Sequence, residues 1–162
     1  MKNESDSRAP LAFFISFRTY GTWLRGDARG SVDRRHNEIG TRSIKPHPGL
    51  QADQGGRMTQ PGCVLDAAQR DSIDASMREV AVHRGWTILA LNVRTNHVHV
   101  VVSGDAAPER MMTDFKRWST RRLRETGLAE ADGNVWARHG STRYLWEPKY
   151  VELACEYVLN RQ

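Results

Sequence analysis

Two histidines separated by one bulky apolar residue are the most chemically suggestive feature of the chain: Thr95-Asn96-His97-Val98-His99-Val100-Val101-Val102. The valine run suits a pleated, half-buried surface, so the stretch is expected to be a strand. On a strand, residues i and i+2 share a face. His97 and His99 then project side by side, with Val98 and Val100 on the other face. Two imidazoles at this spacing can reach one divalent cation. The same pattern also fits two exposed histidines, so a site needs more parts: a third protein ligand and a reacting group. A tyrosine can supply the second. Its phenol, with an ordinary pKa of about 10, attacks poorly at neutral pH. A phosphodiester polarised by a metal ion makes the attack feasible, and the phosphotyrosine conserves the energy of the cleaved bond.

Such a substrate is a polyanion, and the chain is suitably charged. Its 162 residues carry 24 Lys and Arg against 19 Asp and Glu, a net charge of +5. This excess favours an acidic partner, of which nucleic acid is the commonest. Arg18 lies on the mixed face of an aromatic first strand, where it can meet a ligand. Lys116, Arg117, Arg121 and Arg122 crowd one later helix, and phosphate contact is the expectation for them. Hydrophobic residues are 39% of the chain, which excludes a disordered polar segment, and no apolar run approaches a membrane span. Cys63 and Cys155 are far apart, in no metal-binding spacing, which fits a reducing cytoplasm. The N-terminus lacks the apolar stretch of a secretory signal.

The elements that must position these groups are legible in order. Residues 11–20 form a first strand, with Phe13, Ile15 and Phe17 on one face and Phe14, Ser16 and Arg18 on the other. A basic, Gly- and Pro-rich loop follows at about 25–62. Asp66 and Gln69 form a capping box for a helix that Gly85 ends. A strand from Trp86 to Val93 is expected to alternate, with Trp86, Ile88 and Ala90 opposite Leu89 and Leu91. It turns through Arg94-Thr95-Asn96 into the histidine strand. Pro108 opens the cationic helix, a strand or hairpin lies within Trp136–Trp146, and Pro148 opens a last helix running to Gln162. Val151, Ala154, Cys155, Val158 and Leu159 are its expected apolar face. The βαββαβ order predicts a single α+β domain over 1–162: a ferredoxin-like sandwich, an antiparallel sheet with helices packed on one face and a further C-terminal helix.

The His97-Val98-His99 motif in its setting resembles the His-hydrophobic-His signature of HUH single-tyrosine nucleases. The wording Asn96 to Val102 is close to that of REP-associated tyrosine transposases and insertion-sequence single-tyrosine transposases, and so is Tyr157 in Glu156-Tyr157-Val158-Leu159-Asn160-Arg161-Gln162. The resemblance implies that His97 and His99 hold a divalent metal ion, Mg²⁺ or Mn²⁺, and that Tyr157 is the nucleophile. It implies a Gln or Asn ligand just after the tyrosine. The commonest position, four residues on, holds Arg161, which cannot ligate a cation, leaving Gln162 or Asn160. The implied function is a metal-dependent single-stranded DNA endonuclease and strand transferase, a transposase forming a 5′-phosphotyrosine. The implied partner is single-stranded or hairpin DNA, bound by a monomer or a homodimer in the cytoplasm, with no membrane. Arg94 and Asn96 flank the histidines, where they can contact the scissile phosphate or a flipped base. The alternative is a domesticated relative that holds structured DNA without cutting it.

Overall fold

The computed structural model describes residues 8–22, 52, 56, 58 and 60–160. Most of the basic loop at about 25–62, together with Arg161 and Gln162, lies outside them. Four strands form one antiparallel sheet: β1 (Ala12–Thr19), β2 (Thr87–Val93), β3 (His97–Ser103) and β4 (Trp136–Leu145), in the order β2-β3-β1-β4. Three helices accompany it: α1 (Ala67–Arg84), α2 (Pro108–Glu125) and α3 (Pro148–Asn160). This is the βαββαβ sandwich expected from the sequence, followed by a C-terminal helix. Trp136 to Leu145 is one strand rather than a hairpin.

The helix boundaries have local causes. Asp66 accepts from the Gln69 amide while the Gln69 side chain accepts from the Asp66 amide, so two orphan N–H groups are satisfied at the start of α1. Gly85 closes α1 in the left-handed region at φ 73°, which favours a residue without Cβ. Pro108 stands in the first turn of α2, where no N–H is needed.

Each face of the sheet carries its own apolar cluster. Phe13, Ile15 and Phe17 of β1 and Val98, Val100 and Val102 of β3 pack with Ile73, Met77, Met111, Phe115 and Leu123 of α1 and α2. The alternate positions, Ala12, Phe14 and Val101, with Ala90 and Leu145, pack with Val151, Ala154, Cys155 and Val158 of α3. The two core helices therefore cover one face together, as expected, and the helix carrying Tyr157 covers part of the other. Leu159, expected among the buried positions of α3, is 58% exposed. It lies about 100° around the helix from the fully buried Val158, outside the stripe that meets the sheet.

The alternation expected for β2 fails at one point. Ile88 pairs with Val102 but Ala90 pairs with Val101, so a bulge falls between them and Leu89 is left 44% exposed. Trp86 and Ile88 belong with the α1–α2 core, and so do Leu91 and Val93, whereas Ala90 joins the α3 cluster. A bulge inserts one residue and reverses the facing of everything after it. Its consequence is that Asn92 shares a face with His99, its register partner.

Candidate active site

His97 and His99 stand on β3 with ring centroids 4.7 Å apart, both half-buried, on the face that α3 partly covers. Each ring has a short contact through Nδ1. His97 Nδ1 lies 2.6 Å from Asn96 Oδ1, and His99 Nδ1 lies 2.6 Å from Ser16 Oγ. An amide oxygen only accepts, so this contact puts the His97 proton on Nδ1 and the lone pair on Nε2. A Ser16 hydroxyl that accepts from Nδ1 does the same for His99. Metal-bound imidazoles are oriented by such partners on the second nitrogen. Burial first, then the charges of His97 and Arg94, lower the His99 pKa from 6.5 to about 4, so its ring is neutral at physiological pH, as a ligand must be.

The turn that carries Asn96 is itself pinned. The Thr19 amide and hydroxyl both donate to the Asn96 carbonyl, at 2.9 and 3.2 Å. The Leu65 amide donates to Thr95 O at 2.7 Å, and Arg94 N donates to His97 O at 2.8 Å. The end of β1 and the approach to α1 thus fix the start of β3.

Tyr157 reaches the same place from the third helix. Its ring centroid is 5.7 Å from that of His99 and 6.0 Å from that of Phe14, and Phe14 is 5.5 Å from His99. Tyr157 is 42% exposed, so the ring is held at its edge while solvent reaches the residue. The other tyrosines near the C-terminus are placed differently. Tyr144 packs edge-on against Phe13, on the α1–α2 face, and Tyr150 carries the Lys149 ammonium over its ring. Asn92 holds α3 down. Its Nδ2 donates to Val158 O at 3.0 Å, supplying a partner for one of the carbonyls that a helix end leaves without one.

The donor set fits a divalent cation in part. Two imidazoles with oriented Nε2 atoms suit one, but among the described residues no group of three or more His, Cys, Asp or Glu side chains could hold a metal. The expected third ligand is an amide, Gln162 or Asn160. Asn160 is exposed and lies about 160° around α3 from the buried Val158, so it faces away from the sheet. Gln162 lies outside the described residues.

The expected DNA-contacting residues separate into two groups. Arg18 is the register partner of His97 and shares the histidine face, while Arg94 is exposed on the adjoining turn. Lys116, Arg117, Arg121 and Arg122 belong to α2, behind the sheet. Two of these four have structural duties. The Lys116 ammonium donates to Ala137 O at 2.9 Å and His139 O at 3.1 Å, and burial, with Arg18 nearby, lowers its pKa to about 8. It anchors β4 to α2. Arg122 pairs with Glu79 of α1 at 2.7 Å. Arg117 is exposed, and Arg121 is exposed over the Trp118 ring while pairing with Glu125. Both line an open groove of roughly 680 Å³ between α2 and the start of β4, with Trp118, Arg124 and Arg138.

Sequence reasoning missed two residues of this site as site members, Ser16 and Asn92. Ser16 is visible in the sequence as a small polar residue at the right phase of β1. Asn92 is hidden there, because strict alternation puts it on the other face.

The comparisons with known proteins agree with this fold. Two solved structures share the fold. One is a Deinococcus radiodurans R1 protein described as a transposase candidate (TM-score 0.52, 16% identity, 100% of this chain and 98% of that one). The other is a REP-associated tyrosine transposase bound to a REP hairpin (TM-score 0.51, 13% identity, 98% of this chain and 70% of that one). No curated protein matches the chain. The family described as "Transposase IS200 like" matches residues 62–160, which take in β2, β3, α3 and both halves of the candidate site, and the chain belongs to that family.

Proposed function

We propose that this transposase-family protein is a metal-dependent single-stranded DNA endonuclease and strand transferase, with Tyr157 as nucleophile and His97 and His99 as metal ligands. The observation that carries the reading is the contact of Tyr157 with His99 across 5.7 Å within a single chain. The nucleophile and the metal-ligand pair then form one site, without a second copy. Gln162 is the third ligand in this reading, since Asn160 is exposed and turned away from the sheet.

The chain's own groups do the following. Asn96 and Ser16 orient the two imidazoles. A bound divalent cation would supply charge stabilisation at the non-bridging oxygens of the phosphodiester. Tyr157 Oη gives up its proton and forms the new P–O bond. The bond from phosphorus to the 3′-oxygen breaks, and that oxygen takes up a proton. The products are a 5′-phosphotyrosine and a free 3′-OH, and reversal of the same steps joins strands. Arg18, Arg94 and Asn96 border the site and bind the strand there, while Arg117 and Arg121 offer phosphate contacts on α2. The ligand is single-stranded or hairpin DNA, a reading supported by the likeness to a relative whose structure holds a REP hairpin.

The test is a labelled single-stranded hairpin incubated with Mg²⁺ or Mn²⁺. A covalent protein–DNA adduct should form, disappear with chelator and disappear in Tyr157→Phe. An adduct that survives Tyr157→Phe would sink the assignment. Tight binding that ignores both metal and Tyr157, with no adduct, would point instead to a non-cleaving binder of structured DNA.

A further inference from the structure

Arg143 stands on β4 directly opposite Phe14 of β1. Opposed residues of an antiparallel pair point to the same face, with Cβ atoms about 5 Å apart. Phe14 is the ring that touches both parts of the candidate site, 5.5 Å from His99 and 6.0 Å from Tyr157. Arg143 therefore lies on the floor of that site, across β1 from the histidines. The next pair along the same face is Ser16 and Ser141, and Ser16 is the partner of His99. Among the described residues β4 is an edge strand, and no further strand bounds this side of the floor.

Two properties of this position point to an anion. Arg143 Nε is buried and has no hydrogen-bond partner, which is costly for a donor on a charged group. In addition, among the described residues no strand residue of this face is acidic. β1 contributes Ala12, Phe14, Ser16 and Arg18; β3 contributes His97, His99, Val101 and Ser103; β4 contributes Ser141, Arg143 and Leu145. The acids Glu152 and Glu156 of α3 are exposed residues. Glu109 accepts from Thr142 of β4 and so belongs to the opposite face. A planar guanidinium on a floor whose described strand residues include no carboxylate matches a phosphodiester's paired oxygens.

We propose that Arg143 binds a non-bridging oxygen of the phosphodiester that Tyr157 attacks, from the β4 side, while the histidine pair serves the β3 side. The proposal rests on the reading of Tyr157 as nucleophile. It gives Arg143 a role in the reaction, since negative charge gathers on those oxygens as the new P–O bond forms.

The experiment uses the full chain and a series of hairpin oligonucleotides, each with one phosphate replaced by an uncharged methylphosphonate. Arg143→Gln should slow adduct formation on the unmodified hairpin by about 100-fold, the usual loss for one donor to a developing oxyanion. It should weaken binding of the unmodified hairpin by about tenfold, as expected for one charge-assisted hydrogen bond. That binding loss should vanish at one methylphosphonate position, the phosphate that the wild-type protein cleaves. Arg143→Lys keeps the charge without the fork. It should show a smaller loss cancelled at the same position, and it decides the matter if Arg143→Gln does not fold. A loss that is equal at every position, or cancelled at a phosphate other than the cleaved one, overturns the proposal. A wild-type protein that forms no adduct overturns the nuclease reading alone. In that case a scan with one cancelling position still supports the phosphate contact, and a scan with none overturns it.

Discussion

Ser16 and His99 make the contact that sets the orientation of the His99 ring. A serine hydroxyl 2.6 Å from Nδ1 fixes both the rotation of the ring and which nitrogen faces outward. Ser16→Ala should weaken Mn²⁺ binding about tenfold, at the low end for removal of such a partner, with the fold intact. A titration followed by electron paramagnetic resonance measures this, and unchanged affinity would contradict the role given to Ser16. His99 also leaves a signature in stability. Its folded pKa of about 4 lies below the unfolded 6.5, because burial and then the charges of His97 and Arg94 oppose protonation. Between those values the unfolded chain binds a proton that the folded chain does not, so acidification favours unfolding. The melting temperature of metal-free protein should fall as pH drops from 6.5 towards 4, and fall less in His99→Gln. The histidine pair itself is legible in the sequence, since residue type and a spacing of two are all that a strand needs to set two ligands side by side.

The elements are legible wherever a single local rule decides them. The capping box of Asp66 and Gln69, the left-handed Gly85 and the Pro108 start are local signals, and each element begins or ends where they stand. The facing of β2 after Ile88 is not legible, because alternation cannot reveal an extra residue; only the pairing with β3 does. That bulge turns Asn92 toward the histidine face, where it ties down the end of α3. Asn92→Ala should cost about 1 kcal/mol of stability through the missing hydrogen bond. Its larger effect should be on cleavage, because the helix end that carries Tyr157 is released, while hairpin affinity stays the same. Equal kcat with wild type would show that α3 is held without it. Leu159 belongs to the apolar face by residue type, but the arc of α3 that meets the sheet is narrow and ends before it.

Across the whole molecule, the sheet separates two cationic surfaces. Arg18 and Arg143 share the face of the histidines, whereas Arg117 and Arg121 line the groove between α2 and β4 on the other side. The helix pattern shows an excess of cations but not their duties. Lys116 and Arg122 look like phosphate ligands in the sequence and are tethers in the fold, because a helix wheel does not reveal which carbonyl or carboxylate a neighbouring element will offer. Replacing Arg117 and Arg121 together by Ala should weaken hairpin binding and reduce the salt slope by about 2, one unit for each phosphate no longer neutralised. Mn²⁺ affinity should not change. A full salt slope in that variant would remove α2 from the interface.

Tyr157 stands beside His99 of its own chain, so cleavage needs no second copy. Mixing Tyr157→Phe protein with His99→Ala protein tests it directly, since neither can form an adduct alone on this account. Each chain then lacks one half of its own site, and the mixture should remain inactive on labelled hairpin DNA. An adduct that returns on mixing, carried by the His99→Ala chain, would mean that the tyrosine works across a dimer and would contradict the account.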